Sequence, residues 1–198
     1  FIPYQAILAV AFVIFPLVSR STFEEDLTAT RTYIRQTLRF SLIFVASVAV
    51  VMMANPEAVI NVPYPALYYR NGGAALRILS GGMICFSMFT IINTILNGAG
   101  YTRDAIISGV VTLVASSVAN GILIPASASP LAALTAAAWA TTGAQALGMV
   151  VSALLIYRRF AASFPLITLL RVLLAMAAAM AVGWVWPEHS RLVTLVEC

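Results

Sequence analysis

The sequence predicts an all-α fold, a polytopic membrane bundle of six transmembrane helices in a single domain. Three observations carry this reading. Between Asp104 and Arg158 the chain runs 53 residues without a charged side chain. A spanning helix needs about 20 mostly apolar residues, so that stretch is long enough for two crossings joined by a turn. Hydrophobic residues make up 62% of the 198 and charged residues 9%, against roughly 25% charged in a soluble domain. Finally, the arginines sort by position between the two sides of the predicted bundle.

The six apolar segments run over about 2–19, 38–55, 75–98, 105–125, 131–157 and 165–186, each bounded by charge, Pro or Gly. In the first, Pro16 marks a kink or hinge near the inner end. The polar stretch 20–38 follows. There Ser21 or Thr22 with Glu24 or Glu25 reads as a capping box opening a short helix. Phe23, Leu27, Ile34 and Leu38 would give that helix an apolar side, while Arg31, Arg35 and Arg39 share another at four-residue steps. It is expected to lie along the membrane surface before turning into the second span.

The connection 55–73 holds Pro56, Pro63, Pro65, Tyr64, Tyr68 and Tyr69. Tyr prefers the headgroup level, so this connection is expected to lie flat on the outer surface, with Gly72–Gly73 a flexible entry to the third span. Pro125, Ser127, Ser129 and Pro130 break the long uncharged stretch into the fourth and fifth spans. The fourth carries Ser108, Thr112, Ser116 and Asn120 at helical spacing. The fifth carries Ala136, Ala140, Ala144, Gly148 and Ser152, and the sixth Ala175, Ala179 and Gly183. Helices in lipid gain little hydrophobic energy by meeting, so small residues that let backbones approach mark their contacts.

All 11 basic residues are Arg. Six spans divide the connections into two alternating sets. One set holds Arg20, Arg31, Arg35, Arg39, Arg103, Arg158 and Arg159; the other holds only Arg70 and Arg191. Cytoplasmic loops carry the Arg excess, which places the first set in the cytoplasm and both ends of this chain toward the outer side. The net charge of +4 is thus read by position, as contact with anionic headgroups, and no nucleic-acid partner is expected.

An enzyme would need nucleophiles, acids or metal ligands gathered in one place. His189 is the only histidine, the seven carboxylates fall in loops or at span ends, and Cys85 and Cys198 form no metal or redox spacing. No catalytic set, metal site or cofactor is expected. The chain opens at Phe1 without a signal-peptide pattern and reads as a fragment of a longer protein.

Residues able to meet a substrate are few. Arg77 in the third span and Arg171 in the sixth are ionisable groups within or near lipid, a functional signal by default, although both lie near enough to an end to snorkel. Asn93 and Asn97 on the third span, and Gln5 on the first, either bond neighbouring helices or line a polar path. Arg20, Arg31, Arg35 and Arg39 would gather phosphate heads at the inner surface, since the Arg fork binds phosphate oxygens in pairs.

The order of several short motifs resembles one family. Phe15-Pro16-Leu17-Val18-Ser19-Arg20 precedes an acidic then Arg-rich segment. Ala75-Leu76-Arg77-Ile78-Leu79 follows, then Asn97-Gly98-Ala99-Gly100-Tyr101-Thr102-Arg103. Over Phe1 to Arg159 the chain resembles the C-terminal lobe of polysaccharide-export flippases, within the multidrug/oligosaccharidyl-lipid/polysaccharide (MATE-like) exporter superfamily. It departs at Val62-Pro63-Tyr64-Pro65, where the family often has Gly. The resemblance implies two helical lobes around a cavity that opens alternately to each side, with the N-terminal lobe missing from this chain. The cargo it implies is an anionic oligosaccharide or polysaccharide precursor on a polyprenyl pyrophosphate, moved to the outer leaflet of a bacterial or archaeal cytoplasmic membrane. Arg77, Arg20, Gln5, Asn93 and Asn97 are its candidate path. The competing readings are a cation-coupled multidrug exporter, which needs a membrane-buried carboxylate, a non-transporting scaffold subunit, and a membrane-embedded glycan enzyme.

Overall fold

The computed structural model describes residues 2–24, 26–54, 56–61, 66–162 and 165–185, with side chains within these ranges except at 2–12, 57–58, 61, 66–71, 166 and 179–185. Every regular element among the described residues is α-helical: α1 (Ile2–Phe23), α2 (Leu27–Ala54), α3 (Pro56–Asn61), α4 (Ala66–Gly98), α5 (Thr102–Leu123), α6 (Pro130–Phe160) and α7 (Leu166–Val185). The fold is the helical membrane bundle that composition requires. Leu27–Ala54, Gly72–Gly98, Thr102–Leu123 and Pro130–Phe160 are each long and apolar enough to cross a bilayer. Val13–Phe23 and Ile167–Ala178, the stretches of α1 and α7 whose side chains are described, are apolar as well.

The polar stretch does not form a helix of its own. α1 continues through Pro16 and Arg20 to Phe23, and α2 then runs unbroken from Leu27. The cap is Asp26, whose Oδ1 accepts from the backbone N–H of Thr28 (3.1 Å) and Ala29 (2.9 Å). That satisfies donors a helix start leaves orphaned. Ser21 is taken up inside α1, its hydroxyl donating to the Val18 carbonyl. With no Gly or Pro between Leu27 and Ala54, nothing separates a surface helix from a span. The apolar side divides accordingly: Ile34 and Leu38 are fully buried, whereas Phe23 and Leu27 at the turn are exposed.

The connection after α2 also differs from expectation. α4 begins at Ala66, more than two turns early, and Gly72–Gly73 lie inside it rather than forming a flexible entry. At Gly72 a side chain would meet Ile60 Cδ1 at 3.2 Å, so this glycine lets α3 sit down on α4. Residues 62–65 lie outside the described residues, as do the side chains of Tyr68 and Tyr69.

α4 occupies the centre, touching α1, α2, α3, α5 and α6, while α7 packs on α2. The core follows this geometry: Met88, Ile91, Ile92, Ile95 and Leu96 of α4 meet Ile34, Leu38 and Leu42 of α2, Val18 of α1 and Ile156 of α6, all fully buried. α5 is peripheral, and its outer side presents the exposed apolar side chains of Leu113, Val114, Val118 and Ile122. Where α5 meets α6, a side chain at Gly148 would collide with Thr112. Ala140, Ala144 and Ser152 on the same face are buried. The small-residue stripe of α6 is therefore a contact surface. On α7 the buried contacts are Val172 and Met176, with Ala175 exposed; the side chains of Ala179 and Gly183 lie outside the described residues.

Candidate functional site

The arginines acquire meaning from where the turns bring them. α4 ends in a Schellman turn: Tyr101 N–H donates to Leu96 O (2.8 Å) and Gly100 N–H to Asn97 O (3.1 Å). Gly100, at φ +84°, adopts the left-handed conformation this turn needs. The turn sets Asp104 in the first turn of α5, where it is buried. At the far end of α6, Arg159 Nε donates to Asp104 Oδ2 at 2.7 Å. The Arg159 guanidinium also lies 4.6 Å from the centre of the Tyr101 ring, and Tyr101 meets Phe160 edge to face at 5.6 Å. From α2, Arg31 Nε donates to the Phe160 carbonyl at 2.7 Å, one of the orphaned acceptors at a helix C-terminus. Three connections distant in sequence are thus joined at one end of the bundle.

Arg20 belongs to this end, paired with Glu24 at 2.8 Å and exposed. Arg77 does not. Its Nε donates to the Met53 carbonyl at 3.2 Å, at the C-terminus of α2, and it is exposed. The 21 residues from Arg77 to Gly98 correspond to about 30 Å of helix, so Arg77 and Arg20 stand at opposite ends. The structure therefore does not assemble them into one cluster.

Asn93 is committed to packing. Its amide nitrogen donates to Phe89 O (2.8 Å) and Ser152 Oγ (3.2 Å), and its oxygen accepts from Ser108. Ser108 and Ser152 are fully buried. This node ties α4, α5 and α6 together and leaves Asn93 little to offer a cargo. Asn97 is exposed near the cationic end. The Gln5 side chain lies outside the described residues.

Arg39 and Arg171 are brought together in a way the sequence alone conceals. Both line a groove of about 250 Å³ between α2 and α7, with Ser47, Thr168 and a wall that includes Ile43, Val50, Val172 and Met176. Both are exposed, and among the described residues neither pairs with a carboxylate: the ion pairs there are Arg20–Glu24 and Arg159–Asp104. Arg35 lies one turn before Arg39 and is exposed as well. Two features were missed by sequence reasoning, this groove and the Asp104–Arg159 pair. The signal for the second was present, since Asp104 and Arg158–Arg159 bracket the uncharged stretch whose hairpin returns on itself.

Among the described residues no three of His, Cys, Asp and Glu are grouped as a metal would require. Fold and charge together define an integral membrane protein, a helical bundle with guanidinium groups gathered at one end. The family model described as "Lipid II flippase MurJ" matches residues 6–196, so this chain belongs to the lipid II flippase MurJ family. It is a family of transporters rather than enzymes, and the chain is accordingly placed among flippases of lipid-linked precursors. The match falls within the superfamily that the motifs indicated and supports a flippase of a lipid-linked precursor; it does not confirm the narrower likeness to polysaccharide exporters. No curated protein and no solved structure matches the chain.

Proposed function

We propose that this chain forms one lobe of a flippase that carries an anionic polyprenyl pyrophosphate-linked saccharide from the inner to the outer leaflet of a bacterial cytoplasmic membrane. A second lobe faces it across a cavity with alternating access. The cargo favoured by the matched family is lipid II itself. The order of the Phe15–Arg20, Ala75–Leu79 and Asn97–Arg103 motifs favours a longer oligosaccharide on the same carrier as a second reading.

The observation that carries the proposal is the family match over residues 6–196. Charge supports it. The described helices hold Arg77 and Arg171 without a carboxylate deep in a span, and Asp104 at the edge of α5 is already paired with Arg159. A cation-coupled drug exporter needs an acidic group within the membrane; an anionic pyrophosphate needs what is present, Arg forks able to hold phosphate oxygens bidentately.

The test is export in cells that depend on the complete protein. Arg20→Ala and Arg77→Ala should each reduce delivery of the lipid-linked precursor to the outer leaflet while the protein still inserts, as membrane fractionation would show. Normal export by both variants would remove these two side chains from the path. Export of a longer oligosaccharide, with no rescue of lipid II transport, would select the second cargo.

A further inference from the structure

We propose that the groove between α2 and α7 is a binding site for one resident anionic phospholipid, with Arg39 and Arg171 on its phosphate. This inference goes beyond the transport reading and does not rest on it.

Arg39, Ile43, Ala46, Ser47 and Val50 of α2 all line the groove, a helical repeat that places one charge at the inner end of an apolar strip. On α7, Thr168 and Arg171 precede Val172, Ala175 and Met176 in the same groove. The two strips share a polarity, a cation near the inner end and mainly apolar residues beyond it, with Thr168 beside the cation on α7 and Ser47 midway along α2. A phospholipid has that polarity, one phosphate followed by acyl carbons. An apolar peptide lacks the anion, and a free phosphate lacks the tail.

Depth agrees with a lipid. Arg31 reaches the Phe160 carbonyl at the cationic end, and eight residues of α2 carry the chain from Arg31 to Arg39, about 12 Å. Arg39 thus stands near the boundary between headgroups and hydrocarbon, where a long basic side chain snorkels toward phosphate. Size decides between an ordinary lipid and the saccharide cargo. About 250 Å³ holds a phosphate and the first acyl carbons, and not an oligosaccharide. Electrostatics favour an anion, because among the described residues two guanidiniums line the groove and no carboxylate does.

The test uses the complete protein in phosphatidylcholine bilayers doped with phosphatidylglycerol, with retained lipids identified and counted by native mass spectrometry. The wild-type protein should retain phosphatidylglycerol in preference to phosphatidylcholine. The double variant Arg39→Ala/Arg171→Ala should bind it about thirtyfold more weakly, from two surface-level guanidiniums. Ala175→Trp, which leaves both charges in place and fills the groove, should expel the lipid as well and guards against a variant that merely misfolds. Inorganic phosphate should not compete, since it cannot use the apolar strip. The proposal is overturned if the Trp variant retains phosphatidylglycerol as wild type does, or if phosphatidylcholine is held equally well. Displacement of the lipid by a polyprenyl pyrophosphate at equal concentration would assign the groove to the cargo instead and overturn it too.

Discussion

Asp104 and Arg159 are 55 residues apart in the chain and 2.7 Å apart in space. Their ion pair closes the α5–α6 hairpin at the end where the long uncharged stretch both begins and finishes. The Asp104 side chain is only 10% exposed, and Arg159 is its ion-pair partner. Removing Arg159 strands the Asp104 carboxylate in a poorly solvated position, whereas Arg159, 46% exposed, keeps its contact with solvent. Asp104→Asn and Arg159→Ala should each lower the unfolding temperature of the complete protein in detergent. The double variant should lose no more than the worse single one, because both remove the same interaction. Losses that simply add would mean that the two groups act independently.

The Asn93 node gives a second prediction. Interhelical hydrogen bonds in membranes are worth about 0.6 kcal/mol on average and up to about 1.7. Asn93 joins three helices, so Asn93→Ala belongs at the upper end of that range and Ser108→Ala below it. Equilibrium unfolding in mixed micelles measures both. If Asn93→Ala proves neutral, the node does not hold α4, α5 and α6 together.

Glycines divide sharply by what surrounds them. A side chain at Gly148 meets Thr112 and Phe89, while one at Gly109 meets nothing within 4 Å. Gly148→Leu should separate α5 from α6 and cost about 1–3 kcal/mol, the usual range for overpacking. Gly109→Ala should be neutral or slightly stabilising, through the better helix propensity of Ala. Unfolding of the two variants side by side provides the check, and equal effects would argue against the close contact at Gly148.

Topology supplies a fourth. Single cysteines at Arg103 and Arg158, in a background lacking Cys85 and Cys198, should react from the cytoplasmic side with an impermeant thiol reagent. One at Ser127 in the α5–α6 turn should react from the opposite side. The same side for all three would contradict the hairpin and the Arg sorting with it.

Much of the fold was legible because lipid makes length and charge informative. The uncharged run 105–157 announced a hairpin, and Ser129 with Pro130 marked its turn. Ser129 indeed caps α6, accepting from Ala132 N–H at 3.2 Å. The 20–38 segment misled because Ser21, Thr22 and Asp26 are all able to cap a helix, and the two glutamates between them complete a capping-box pattern for the first two. Only the fold shows that Asp26 is the one used and that Ser21 turns inward. Gly72–Gly73 misled for the opposite reason: paired glycines signal flexibility in a loop, yet here α3 packs against the helix at Gly72.

The candidate site was harder to read. Arg20, Arg77, Asn93 and Asn97 were chosen for chemistry and depth, which say nothing of direction. Asn93 turns out to face two serines, and Arg77 reaches the last turn of α2. The pairing of Arg39 with Arg171 needed the α2–α7 contact, a relation between segments about 130 residues apart that no local pattern encodes.

The most direct measurement is flipping by the complete protein in proteoliposomes carrying a fluorescent polyprenyl pyrophosphate-linked saccharide, followed by bleaching with an impermeant reductant. Label in the inner leaflet should become accessible much faster than in protein-free vesicles, and unlabelled lipid II should compete. Bleaching that stops at the outer-leaflet fraction, as in empty vesicles, would contradict the account.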